Sequence, residues 1–414
     1  MKNSEIKTVV IGAGPAGLMA AMAAAEAGCR VDVFEQLPQA GAKLLASGGG
    51  KCNVTNVLPP SGFAERFGRQ GRFMLPALST MTPENLRLFF AGHGVPMIVE
   101  DGFHYFPESG RAADVLNVLL RQCDLLKVNI HVSARITRLA IADGRVTGVV
   151  TPDGTAAADR VIVACGGRGY PKLGGGTSGY ALAEQAGHEI VEPLPGLTGL
   201  RTVETWPAQC SGISFSSVTA FIDLPKYRKK SSAGDLLFTH HGISGPAVID
   251  FAGEISQLLK TIQAVPLSVN LFAGRTPQYW MDLFDEWQRG NGRKHIRNLL
   301  SMHVPAALAD IICGLAGNIG DVKAAEFNAA GRENICRLLT AMPFTIKATE
   351  GWDKAMVTRG GISLKKVNPD TLESRLVQGL FFAGEVLDLD GPCGGYNLQW
   401  AFSSGFLAGK SAGS

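Results

Sequence analysis

The chain has 414 residues, of which 46% are hydrophobic and 18% charged, with 39 Lys and Arg against 36 Asp and Glu for a formal charge of +3. This length suits a large α/β core with an insertion, two or three lobes in all, and the apolar content excludes an intrinsically disordered chain. Basic residues are spread too thinly for net charge to argue for a nucleic-acid binder. The one dense cluster, Lys226-Tyr227-Arg228-Lys229-Lys230, suits a solvated loop or a contact for RNA or another acidic ligand.

In chain order, the first residues run straight into a folded motif. Thr8–Ile11 is an apolar run of the kind that forms a buried parallel strand. Gly12, Gly14 and Gly17 follow as G-x-G-x-x-G, with Pro15 and Ala16 between the second and third glycines. The first glycine permits a tight turn, the second lets backbone approach a pyrophosphate, and the third lets helix pack on strand. Leu18–Ala27 reads as that helix, whose N-terminal amides and dipole favour an anion. "CRVDVFE" reads as a second strand ending on Glu35, with Gln36 next. A carboxylate there can accept both hydroxyls of an adenosine ribose.

The stretch "LLASGGGKCNVTN", 44–56, resembles a glycine-rich loop. As a triphosphate loop it lacks the required first glycine, since position 45 is Leu, and the hydroxyl after Lys51, since position 52 is Cys. As a disulfide reductase site it lacks a second cysteine nearby, although Lys51 beside Cys52 would favour a thiolate. Downstream, "DGFHYFPESGR" offers His104, Tyr105 and Arg111 as a polar and aromatic lip. "ADRVIVACGG", 158–167, is a strand running into a small-residue turn at Ala164, Cys165 and Gly166, and Tyr170 follows in "GGRGYPKLG". His240 and His241 in "FTHHGISGPAV" are the most concentrated imidazoles, of the type that acts as a general acid. "GLFFAGEVLDLDGPCGGYNLQWAFSSGFLAG", 379–409, has a strand, Gly384-Glu385, then a glycine-rich turn into a helix of small and apolar residues.

The eight cysteines, at 29, 52, 123, 165, 210, 313, 336 and 393, form no CxxC pair and no metal-finger spacing. They predict reduced thiols in a cytoplasmic protein without a metal site. No uncharged run reaches the ~18 residues of a membrane span, and no leader sequence is evident, so neither secretion nor a membrane contact is expected.

The blocks "GAGPAGLMAA", "GAKLLASGGGKCNVTN", "FPESGRAADV", "ACGGRGYPKLGGGTSGY", "LLFTHHGISGPAV", "AMVTRGGISL" and the 379–410 stretch together resemble the YhiN-like or BaiN-like bacterial flavoproteins, NAD(P)/FAD-dependent oxidoreductases. The resemblance runs from end to end. It implies an α/β fold: a glutathione-reductase-type FAD-binding Rossmann domain, discontinuous, with an inserted β-barrel-like region and a helical region. Changes in the text along the chain place the first FAD part at 1–190, the β-rich insert at 191–270, the helical region at 271–345, and a return to both at 346–414. The resemblance further implies that Lys43, Ser47, Gly48, Gly49, Lys51, Cys52 and Asn53 lie against FAD. It implies the same for Ile136, Gly384, Glu385, Gly391, Gly394, Gly395, Asn397 and Leu398, with Tyr170 along the flavin face and Tyr396 at its edge. Where many members have Arg this chain has Lys51, which keeps the charge and loses the bidentate fork. Cys393 and the Gly174-Gly175-Gly176 run also depart from the pattern.

No second G-x-G-x-x-G follows a strand, so NAD(P)H is expected as a transient electron donor without a domain of its own. The leading expectation is hydride transfer through flavin N5 to an activated C=C bond of a ring enone or a pyrimidine, with His240, His241 and Tyr170 as catalytic candidates. The alternatives are an amine or aminoketone oxidase using O2, and an RNA-associated protein whose FAD is structural.

Overall fold

A computed structural model describes residues 5–227 and 229–414. Residues 1–4 and Arg228 of the basic cluster lie outside the described residues. The chain divides into two units, one of residues 1–195 and 355–414 and the other of residues 196–354.

The first unit is built on a parallel sheet in the order Leu380–Phe382, Arg160–Val163, Lys7–Ile11, Arg30–Phe34, Asn129–His131. Val161, Ile162, Val163, Val9 and Val10 are all buried, as expected for strands covered on both faces. The fingerprint strand runs one residue longer than the apolar pattern suggests, Lys7–Ile11, and its helix begins earlier, at Pro15, because proline suits the first helical turn. This first helix, Pro15–Glu26, and the last one, Tyr396–Ala412, pack face to face. Small residues make the approach possible: a Cβ at Gly405 would sit 2.2 Å from the Ala16 carbonyl oxygen, and one at Gly409 the same distance from that of Ala20. Gly405→Ala is therefore expected to destabilise the protein by about 1–3 kcal/mol through overpacking, read as a lower midpoint in urea unfolding. An unchanged midpoint would mean that the two helices separate freely.

A small antiparallel sheet of Thr55–Asn56, His104–Pro107 and Met97–Val99 and a three-stranded meander over residues 138–157 complete this unit.

In the second unit, six strands among the described residues close into a barrel. Their order is Leu200–Thr202, Gly242–Ser244, Ser231–Thr239, Ser214–Ile222, Val265–Asn270, Met342–Thr349. Closure leaves the sheet no exposed edge. Between the last two barrel strands in sequence the chain is helical, with Pro277–Asn291 and Ala329–Thr340 the longest stretches. Both are capped as their sequences specify: Thr276 accepts from Tyr279 N, and Asn328 accepts from Gly331 N at 2.8 Å.

Candidate functional site

The fingerprint turn forms at the carboxyl end of the central strand, the usual place for a ligand in an open parallel sheet. Gly17 sits where a Cβ would be 1.8 Å from the Gly12 carbonyl oxygen, so the helix can lie this close only with glycine there. Gly12 in turn faces the Ala164 carbonyl oxygen, which brings the turn at Ala164, Cys165 and Gly166 against it. Gly14 differs: with φ −79° its backbone is ordinary, and a Cβ there would meet nothing within 4 Å. Space is thus kept open above the helix start, which has Pro15 and Ala16 in its first turn and no side-chain cap.

Glu35 is buried, and its two carboxylate oxygens are held separately. Oε2 accepts from Ala13 N and Oε1 from Leu37 N, each at 2.8 Å. A carboxylate has about four acceptor positions, so two remain for ligand hydroxyls. Gln36 beside it donates to Gly174 O at 3.0 Å, and Ile136 is buried in the core of the same unit.

The 44–56 stretch is less of a loop than its composition suggests. Ala42–Ala46 is a short helix anchored by buried Leu44, followed by a tight turn at Ser47–Gly50. Gly48, Gly49 and Gly50 have φ of 56°, 64° and 93°, values that side chains rarely accept. The Ser47 hydroxyl closes the short helix by donating to Leu44 O at 2.6 Å. Lys43 makes an ion pair with Glu385 at 2.8 Å, and Glu385 Oε1 accepts from Thr358 N at 2.8 Å. Lys51 reaches outward instead, pairing with Glu100 at 3.1 Å above the Phe106 ring.

Cys52 is fully buried with φ 63°, and burial pushes its thiol up to about 12. A thiolate at neutral pH is therefore disfavoured, which weighs against the redox-thiol reading. At about pH 8 a thiol reagent is expected to label exposed Cys393 while Cys52 reacts only on unfolding. Rapid labelling of Cys52 in the folded protein would contradict this placement. Cys165 is likewise pushed up to about 12, chiefly by burial.

Asn53, with its amide oriented to satisfy both partners, donates to Thr55 O at 3.0 Å and accepts from Gly395 N at 3.2 Å. It ties this turn to the start of the last helix, where Gly395 precedes Tyr396 with no side-chain cap. Asn397 folds the preceding turn, accepting from Gly391 N at 2.8 Å and donating to Gly391 O at 2.9 Å. Leu398 packs against the core, and Tyr396 is buried with its ring edge-on to Phe63. Gly384 N is held by Ser404 Oγ of the last helix at 2.9 Å. Tyr170 has a left-handed backbone, φ 53°, which costs an aromatic residue about 1–3 kcal/mol.

All the predicted cofactor residues belong to the first unit; the 12–17 turn, Glu35 and Ala164–Gly166 meet at the ends of its parallel strands, whereas Lys51 turns outward and Cys52 and Ile136 are buried in the core. His240 and His241 belong to the second unit, exposed at the two-residue tip between barrel strands Ser231–Thr239 and Gly242–Ser244. Motif reading missed Thr358, whose hydroxyl accepts from Arg168 N at 2.7 Å, and Asn56, which donates to Gly394 O at 2.8 Å. Both lie within or beside quoted blocks, "AMVTRGGISL" and "KCNVTN", but their partners are more than 180 positions away.

The arrangement fits FAD: a pinned ribose acceptor, an uncapped helix start below an open glycine, and a second uncapped helix start brought beside the Ser47–Gly50 turn. Among the described residues no helix is long and apolar enough to cross a membrane.

The sequence profile described as HI0933-like protein Rossmann domain matches residues 6–411. The 3-dehydro-bile acid delta(4,6)-reductase of Clostridium scindens is 32% identical, over 97% of this chain and 98% of its own length. The ribosomal RNA dihydrouridine synthase of Escherichia coli is 30% identical, over 97% of this chain and 96% of its own. Among solved structures, the 3-ketosteroid-delta4-(5alpha)-dehydrogenase of Rhodococcus jostii superposes with a TM-score of 0.52 at 16% identity, covering 100% of this chain and 98% of that one. That last likeness is one of fold.

Proposed function

The chain belongs to the HI0933-like Rossmann family and is an FAD-dependent oxidoreductase, and from that premise we propose that it reduces an activated carbon–carbon double bond. One observation carries this reading. Two relatives matched from end to end are named for the same bond change, a delta(4,6)-reductase and a synthase of dihydrouridine. The substrate class is therefore a ring enone or a pyrimidine. When bound, FAD supplies the hydride.

The protein's residues hold and orient. Glu35 accepts the ribose hydroxyls, the amides at the start of Pro15–Glu26 receive the pyrophosphate, and Gly14 leaves room for it. The 47–53 turn and the start of Tyr396–Ala412 hold the isoalloxazine end, with the Lys43–Glu385 pair tying the short helix before the turn to the Gly384-Glu385 segment. Tyr170 lies along the ring. NAD(P)H is the proposed transient donor.

The test is anaerobic turnover with NAD(P)H on an enone steroid and on uridine-containing RNA, with products read by mass spectrometry. The expected product is heavier by the mass of two hydrogens for one of the two substrates. Unchanged mass for both classes, with flavin bound and reducible, would contradict the reading. In a parallel aerobic assay, oxidation of a small amine with uptake of O2 would favour the oxidase in its place.

A further inference from the structure

His104 is the group that the functional reading above leaves unused. It starts the strand His104–Pro107, opposite Asn56 of the neighbouring strand. Asp101 clamps it from one side: Oδ1 accepts from Phe103 N at 3.0 Å and His104 N at 2.8 Å, while Oδ2 engages His104 Nδ1. These bonds hold the Asp101 carboxyl down at about 2. With Asp101 accepting from Nδ1–H, the second nitrogen, Nε2, is turned toward Gly394. A Cβ at Gly394 would lie 3.0 Å from it. Gly394 is itself held by Asn56, and the next residue, Gly395, opens the last helix without a side-chain cap. An Asp-clamped imidazole and a set of helix-start amides thus share one short, pinned turn.

We propose that His104, held by Asp101, is the cationic partner of the pyrimidine end of bound flavin, stabilising the negative charge that the reduced cofactor carries there. This rests on the reading that the start of Tyr396–Ala412 receives the isoalloxazine. A protonated imidazole adds positive charge beside the partial positive charge of the helix start, offset in part by the Asp101 carboxylate on its other nitrogen. Among the described residues, Asp101 is the charged group in hydrogen-bond contact with His104. Beyond the Phe106 ring, Lys51 and Glu100 form an ion pair with each other. Tyr105, next in the strand, and Tyr396, packed on Phe103, are the neighbouring phenols.

Sulfite is the probe. Its sulfur lone pair forms a bond to flavin N5 while ring electrons move to N1 and C2=O, so no outside oxidant or reductant enters and the affinity reports positive charge at the pyrimidine end. Flavin-loaded wild type, His104→Gln and Asp101→Asn are titrated with sulfite between about pH 6 and about pH 9. At the acid end wild type is expected to bind sulfite roughly tenfold more tightly than His104→Gln. Asp101→Asn, which keeps the imidazole but removes the carboxylate that clamps it, is expected to bind sulfite with an affinity different from wild type, and it carries the test if His104→Gln fails to load flavin. A ratio within twofold of one at every pH, or an Asp101→Asn profile that coincides with wild type, would overturn the proposal. If wild type takes up no FAD the functional reading itself fails; flavin loading with a ratio near one overturns the role of His104 alone.

Discussion

Glu35→Gln is expected to weaken FAD binding by roughly 30- to 150-fold, about 2–3 kcal/mol. The carboxylate accepts one backbone amide on each oxygen, Ala13 N and Leu37 N, and keeps a lone pair on each for a hydroxyl. A glutamine has one oxygen, so its NH2 must face one of those amides and presents a donor where a ribose hydroxyl also donates. Titration of apoprotein with FAD, followed by quenching of flavin fluorescence, measures the loss. An affinity within about threefold of wild type would mean that Glu35 braces the turn without receiving the ribose.

Gly17→Ala is expected to do more, removing about 3 kcal/mol or more of stability and FAD binding with it. Its methyl would have to occupy space 1.8 Å from the Gly12 carbonyl oxygen, a backbone atom that cannot rotate away as the end of a side chain can. Gly14→Ala separates fold from ligand. Its backbone is ordinary and nothing lies within 4 Å, so urea unfolding of the apoprotein should be unchanged while FAD affinity falls. Equal affinity in Gly14→Ala would place the pyrophosphate elsewhere.

Much of the first unit was legible because its signals are local. Strand, glycines, helix, strand and terminal acid follow one another within about thirty residues, and each step has a short-range cause. The turn at 47–53 was legible as a close-packed backbone segment, but its preceding helix was hidden. Only five residues long, Ala42–Ala46 has no apolar period of its own and is fixed by buried Leu44 and the Ser47 hydroxyl. Lys43 and Glu385 were each legible as candidates for the cofactor, whereas their mutual ion pair depends on a chain reversal through the other unit's 159 residues. Thr358 and Asn56 were missed for the same reason, since a threonine or asparagine hydrogen bond carries no sequence period. Asp101 and His104 are close in sequence, but only the pairing of the His104 strand with Asn56 sets the imidazole against Gly394.

The cysteines show how burial settles a question that spacing leaves open. Lys51 next to Cys52 suggested an activated thiol, yet the lysine side chain turns out to Glu100 and the thiol turns into the core. Neighbours in sequence diverge in space when one belongs to the packing and the other to the surface.

The claim that this flavoprotein reduces a carbon–carbon double bond is tested most directly by its half-reactions under anaerobic stopped flow. Protein carrying chemically reduced flavin is mixed with an enone steroid or uridine-containing RNA, and protein carrying oxidised flavin is mixed with small amines. One of the first two acceptors is expected to return the flavin to its yellow form in step with formation of the saturated product, and amines are expected to leave the oxidised flavin unchanged. Bleaching by amines, with neither acceptor reoxidising the reduced protein, would contradict it.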